Sequence, residues 1–154
     1  FVISSKSAEL ITGKPGTCGR AQKSKDMRNG FTKAHGWFPV VVKESSEIIG
    51  MVEITRSSGP FMREAIEAFQ SQHHIAEEEL DRIYNEKPYA WHLDQSLRFQ
   101  TPLKIEPGKI GENWTSLSEL DCARIKAACH TFFAHGHETA PKVASPKPLK
   151  ALRA

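Results

Sequence analysis

Cationic side chains crowd the first third of the chain at a spacing that suits phosphate. Lys14, Thr17 and Arg20 are followed by Lys23, Lys25 and Arg28, in a stretch (residues 13–36) that also holds five glycines. Glycine lets backbone N–H groups approach an anion closely, and the lysines and arginines neutralise it. Each such contact releases counterions, so binding through this segment is expected to weaken steeply with salt. Lys6 lies just upstream. Ser45 and Ser46 fall in a turn between two apolar segments, and Glu53 sits on the second of them. Lys14, Thr17 and Glu53 in one cleft would be a set able to polarise an amide and activate water. Alternatively, Glu53 is an outward-facing strand residue. Trp91 and His92 are adjacent on a predicted strand, so they point to opposite faces and one must face the interior. Either Trp91 stacks on a base or it belongs to the core.

Other candidates carry less. Cys122, Cys129, His130, His135 and His137 gather near the C-terminus, but their spacing is not that of a zinc site. No metal or other cofactor is expected. His73-His74 reads as an exposed helix break. Glu77-Glu78-Glu79 reads as a solvated helix face. No P-loop, dinucleotide fingerprint, nucleophile elbow or zinc-protease helix is present.

These residues need elements to hold them. Phe1-Val2-Ile3 reads as a strand, and Ser4 or Ser5 opens a helix that stops at Gly13. Residues 13–36 read as an extended, partly mobile loop. Trp37–Lys43 and Ile48–Thr55 are predicted strands, with Gly50 marking a bulge or a close backbone approach. Phe61, Met62, Ala65, Ile66 and Phe69 repeat at helical spacing, and a second helix follows over Ile75–Tyr84. Tyr89–Leu93 and Leu97–Ile105 are predicted as two further strands, with Pro102 at an edge or a bulge. Ser116 and Glu119 form a capping box for a helix to about Phe133. Residues 136–154 read as a basic, disordered tail beyond one domain spanning 1–135. The order predicts an α+β domain: a small mixed β-barrel with flanking helices.

Composition agrees with one soluble domain. The chain has 154 residues, 39% hydrophobic and 25% charged, and no apolar run long enough to span a bilayer. Three cysteines are an odd count, which points away from a disulfide framework and towards a cytoplasmic setting. The net charge of +3 is unevenly spread: residues 1–35 carry seven Lys/Arg against two acids, and residues 60–90 carry three against seven. A basic flank favours a nucleic-acid partner and no membrane. The acidic helices leave room for a protein partner, and a start at Phe1 leaves room for more chain upstream.

Three stretches carry a family resemblance. Ser5–Lys14 resembles the opening helix and lysine turn of ASCH domains, a branch of the PUA-like superfamily related to EVE and YTH domains. Ser46–Thr55 is similar to the family's central strand, in which Gly precedes alternating apolar residues. Tyr89–Leu93 through Leu97–Phe99 and Pro102–Ile105 resembles its late hairpin. The family turn is roughly Gly-x-Lys-x-x-Glu-x-Arg. Set on Gly13, it finds Lys14 displaced, Cys18 at the acidic position and Arg20 at the arginine. The resemblance implies a PUA-like barrel with a cleft between barrel and helices that takes RNA or an exposed base. The nucleic-acid-binding residues would be Lys6, Lys14, Arg20, Lys23, Lys25, Arg28, Ser45, Ser46, Trp91 and His92. Some ASCH proteins are hydrolases acting on a modified cytidine, or ribonucleases. A small hydrolase using Lys14, Thr17 and Glu53 is therefore the alternative to a binding module.

Overall fold

The computed structural model describes residues 1–84, 88–106 and 110–134. The predicted tail, with His135 and His137, lies outside them. Strand β1 (Val2–Ile3) leads through a 3-10 turn (Ser5–Ser7) into α1 (Ala8–Thr12). Then come β2 (Cys18–Arg20), β3 (Lys25–Arg28), β4 (Gly36–Val42) and β5 (Glu47–Ser58). Three short helices follow, α2 (Arg63–Ala68), α3 (Gln70–His73) and α4 (Glu77–Tyr84). Strand β6 (Tyr89–Lys104) and helix α5 (Glu119–Ala134) complete the fold. The strands form one mixed six-stranded sheet in the order β1-β4-β5-β6-β2, with β3 also on β6. This is the expected α+β class with flanking helices, but the hydrogen-bonded path does not close on itself.

Strand β6 organises the sheet. The sequence suggests two strands broken at Asp94-Gln95-Ser96, yet the strand runs through without a turn. Ser96 is buried and sits opposite both Gly19 of β2 and Val52 of β5, so this polar stretch is a strand centre held by pairing on both sides. Its first residues, 89–92, pair with β3 and its middle, 95–97, with β2. The basic segment 13–36 is therefore not one loop: β6 draws two short strands out of it. Pro102 falls within an irregularity where Gly50 pairs with Arg98 and Ile48 with Leu103, a place where its missing N–H costs no ladder bond.

The apolar side chains fall into two cores, and on β4 the two-residue period sends Val40 to one and Trp37 and Val41 to the other. One holds Ile11, Val40, Ile54, Trp91 and Leu93. The other holds Trp37, Val41, Met51, Leu97 and Phe99 against Ile125, Cys129 and Phe132 of α5. A satellite cluster, Ile66, Ile75 and Leu80, packs with Met27 of β3. His73 is not an exposed break; it is fully buried in this region. Its Nε2–H donates to the Ile66 carbonyl at 2.8 Å and its Nδ1 accepts from the Ile75 amide at 3.0 Å. Helix α5 starts later than the capping box predicts, because Ser118 supplies the cap: its Oγ accepts from the Asp121 amide at 3.1 Å. Among the described residues, no helix is long and apolar enough to cross a membrane, and no group of His, Cys, Asp or Glu is placed to hold a metal ion.

At Gly50 the backbones of β5 and β6 approach closely. A methyl group there would overlap the Leu97 carbonyl oxygen and lie 2.9 Å from the Arg98 Cα, both backbone atoms that cannot swing aside. Gly50→Ala is expected to destabilise the domain by about 1–3 kcal/mol, the usual range for overpacking. A lower urea midpoint would show it; an unchanged midpoint would mean the two strands can separate at no cost.

Candidate functional site

The site is built from the floor upward. Strand β3 pairs with β6 so that Asp26 is opposite Trp91, and this register turns the Asp26 carboxylate inward. Arg28, two residues on, shares that face. Lys23 lies just before β3, where its amide is tied to the Leu10 carbonyl at 2.8 Å. Asp26, 5% exposed, is held between two cations: Lys23 Nζ is 3.0 Å from Oδ1 and Arg28 Nε is 2.6 Å from Oδ2. Burial alone would raise the Asp26 carboxyl. The charges and hydrogen bonds of Arg28 and Lys23 outweigh it and hold the group below its usual range.

Arg28 has little capacity left. Its guanidinium also donates to the Val2 carbonyl at 2.5 Å, the Asn113 Oδ1 at 2.8 Å and the Glu112 carbonyl at 3.2 Å. It lies over the Phe1 and Trp91 rings at 4.7 and 5.4 Å. Lys23 is less committed: beyond Asp26, its ammonium reaches, among the described residues, the Ser7 hydroxyl at 3.5 Å.

Above this floor opens a cleft of about 570 Å³. One wall is the 3-10 turn and α1, with Lys6, Ser7 and Leu10. A second is the end of β4, with Lys43 and Glu44. The third is α4 and the residues before it, with Ile75, Glu78, Glu79 and Arg82. Five Lys/Arg line the cleft (Lys6, Lys23, Arg28, Lys43, Arg82), and so do five carboxylates (Asp26, Glu44, Glu78, Glu79, Glu112). The hollow beside the sheet is thus charge-balanced and rich in both donors and acceptors. A second, more apolar cavity of about 800 Å³ is walled by residues that include Phe1, Phe38, Pro39, Trp114 and Leu117.

Of the predicted site residues, only Lys6, Lys23 and Arg28 line the polar cleft. Lys14 and Thr17 lie in a turn clamped to β6: Arg98 donates to the Gly13 carbonyl at 2.9 Å, and the Thr17 hydroxyl donates to the Lys14 carbonyl at 2.6 Å. Arg20 is exposed, 3.8 Å from Asp94. Glu53 is opposite Trp37 on β4. Lys14, Thr17 and Glu53 line neither cavity. Ser45 and Ser46 hold the β4–β5 turn against β6 through their carbonyls. Trp91 is a core ring, stacked on Trp114 at 5.5 Å and donating to the Gly30 carbonyl, so no base reaches it. Lys25 and His92 emerge on the opposite side of the sheet from Asp26 and Trp91. The physical reason for the dispersal is the strand pairing: a loop could gather its cations, whereas β2 and β3 deal them to alternate faces.

No family profile matches the sequence, and no curated protein does. Solved structures do. The ASCH protein from Zymomonas mobilis superposes with a TM-score of 0.61 at 12% identity, over 82% of this chain and 92% of its own. A point mutant of the same protein gives 0.60 at 14% identity, over 82% of this chain and 95% of its own. The chain has an ASCH-type fold. The spacing of the turn that the resemblance implies is also met further along than Gly13. Ala21, Lys23, Asp26 and Arg28 match Gly-x-Lys-x-x-Glu-x-Arg, with Ala for Gly and Asp for Glu. These are the side chains that the structure joins at the cleft floor. Lys14, Cys18 and Arg20 line neither cavity. Ser7, Lys43 and Glu44, which border the cleft, carry no comparable signal in the sequence.

Asp26→Asn leaves Lys23 and Arg28 buried without a counter-charge. Breaking such a pair costs about 3–5 kcal/mol, and a fall of that size in chemical-denaturant stability at pH 7 is expected. Because the folded-state carboxyl titrates below the ordinary value of 3.8, its contribution is complete above about pH 4–5 and is lost as pH falls through the folded value. The variant is therefore expected to lose this part of the acid-unfolding limb. Equal acid limbs in the two proteins would mean that Asp26 is not ion-paired.

Proposed function

We propose that this domain is an RNA-binding module that admits an exposed base and its ribose into the polar cleft above Lys23. The observation carrying the proposal is the cleft floor. A buried ammonium, fixed by Asp26 yet open towards the Ser7 hydroxyl, lies at the base of a hollow of about 570 Å³, a volume within the range of small-molecule sites. The balance of Lys43 and Arg82 against Glu44, Glu78 and Glu79 suits the edge of a base, which presents donors and acceptors side by side. A run of phosphates would call for an excess of cations instead. The ASCH-type fold supports the same reading, since the resemblance implies a cleft of this kind beside the sheet.

A hydrolytic reading has one observation in its favour, the Ser7 hydroxyl 3.5 Å from Lys23 Nζ. Acting on a nucleoside amide or an RNA phosphodiester, such an enzyme would use Ser7 and Lys23 in place of Lys14, Thr17 and Glu53. Turnover of acetylated cytidine or labelled RNA that disappears in Ser7→Ala would favour it over binding alone.

Fluorescence anisotropy with single-stranded RNA at low salt tests the binding module. Lys43→Ala and Ser7→Ala, which leave the Asp26 ion pairs in place, are each expected to weaken binding about 3- to 10-fold, the effect of one hydrogen bond. A protein that binds no RNA at low salt, or whose affinity ignores both substitutions, would refute the role of the cleft.

A further inference from the structure

Strands β3, β6 and β5 lie side by side, and their register aligns three basic residues. Lys25 is opposite His92, and His92 is opposite Arg56. Directly opposed residues of antiparallel strands share a face, and like charges so placed are destabilising. The row faces away from Asp26 and Trp91, which occupy the neighbouring register. Among the described residues, no carboxylate forms an ion pair with Lys25 or Arg56. On β6 the nearest acid is Asp94, two residues beyond His92, and Arg20 is 3.8 Å from it. The row is also held in shape. The Lys25 ammonium lies over the Phe69 ring at 4.4 Å, and His92 Nε2 is 2.7 Å from the Ser58 hydroxyl.

We propose that Lys25, His92 and Arg56 bind a phosphate group across these three strands. Two long cationic side chains flank a ring nitrogen, on a surface whose own charges repel. An anion above His92 would remove that repulsion and accept hydrogen bonds from both flanks. The neighbouring cations also leave their mark: burial first, then Lys25 and Arg56, push the His92 ring down to about 4, and burial and Arg56 lower Lys25. The chemistry is shared by an RNA phosphodiester and by free phosphate. The first source rests on the RNA-binding reading above. In that case the backbone crosses the outer face of the strands whose inner face carries the cleft floor.

Salt-dependent anisotropy with single-stranded RNA, comparing the native protein with Lys25→Gln/Arg56→Gln, separates the sources. Two lost phosphate contacts are expected to make the slope of log K against log salt shallower by about 1.4 and to weaken binding at low salt about tenfold or more. The charge-conserving Lys25→Arg/Arg56→Lys is expected to retain the native slope. In parallel, inorganic phosphate is titrated against the native protein and the Gln variant while the His92 ring signals are followed by NMR. A changed slope assigns the row to the RNA backbone. An unchanged slope, or no RNA binding at all, together with a saturable His92 shift that the Gln variant loses, assigns it to free phosphate; absence of RNA binding then counts against the cleft reading alone. No slope change and no His92 shift overturns the proposal. Removing like charges is expected to leave the melting temperature of the Gln variant equal or higher, so a folding defect would be seen separately.

Discussion

A carboxylate cannot be buried on a sheet without compensation, and the arrangement around Asp26 follows from that constraint. Leaving one ion of this kind unpaired costs several kcal/mol. Two cations, Lys23 and Arg28, meet its two oxygens, which leaves one positive charge in excess. That excess is spread over the Val2 and Glu112 carbonyls, the Asn113 side chain and two aromatic faces. The network therefore fastens β1, β3, the 112–114 segment and β6 to one point. It also fixes where the cleft can be, because Lys23 is the member with hydrogen-bonding capacity still directed outwards.

The same strand decides what happens on both faces. In β3, Asp26 and Arg28 turn inward while Lys25 and Met27 turn outward, as a two-residue period requires. Lys25 is consequently excluded from the cleft although it lies between Lys23 and Arg28 in sequence. Met27 is taken up by the helical satellite core, and Lys25 is left on the open part of the outer face beside Phe69. A segment that looks uniformly basic is thus resolved into a structural ion-pair network and a separate surface row.

This explains which parts of the fold were legible in the sequence. Strands β4 and β5 carry their own apolar runs, helix α5 is announced by the capping signal ahead of it, and Gly50 and Pro102 announce irregularities by backbone chemistry alone. Strands β2 and β3 carry no such run. Cys18-Gly-Arg20 and Lys25-Asp-Met-Arg28 lack the apolar alternation of a strand, and their conformation comes from pairing with β6, where tertiary context outweighs propensity. The unity of β6 is hidden for the converse reason, since Asp94-Gln95-Ser96 resembles a turn until partners on both sides are in place. Part of the site was nevertheless visible. Lys23, Asp26 and Arg28 keep the spacing of the turn that the resemblance implies, but Ala21 and Asp26 stand where it has Gly and Glu, and Gly13-Lys14 draws attention to a turn that lines neither cavity.

The separation of charge has a consequence for how the domain would meet a polyanion. Attraction to nucleic acid depends on the cations that remain after internal pairing, because only these displace counterions. In the cleft, Lys23 and Arg28 serve Asp26, Lys6 lies 3.8 Å from Glu79, and the acids of α4 oppose the rest. A ligand held there gains from directional hydrogen bonds in a partly desolvated space and little from long-range attraction. On the outer face the relation is reversed: Lys25 and Arg56 repel each other across His92, and among the described residues no carboxylate forms an ion pair with either. Selectivity and salt-dependent affinity would then reside on opposite sides of β3 and β6, coupled only through the register of the two strands.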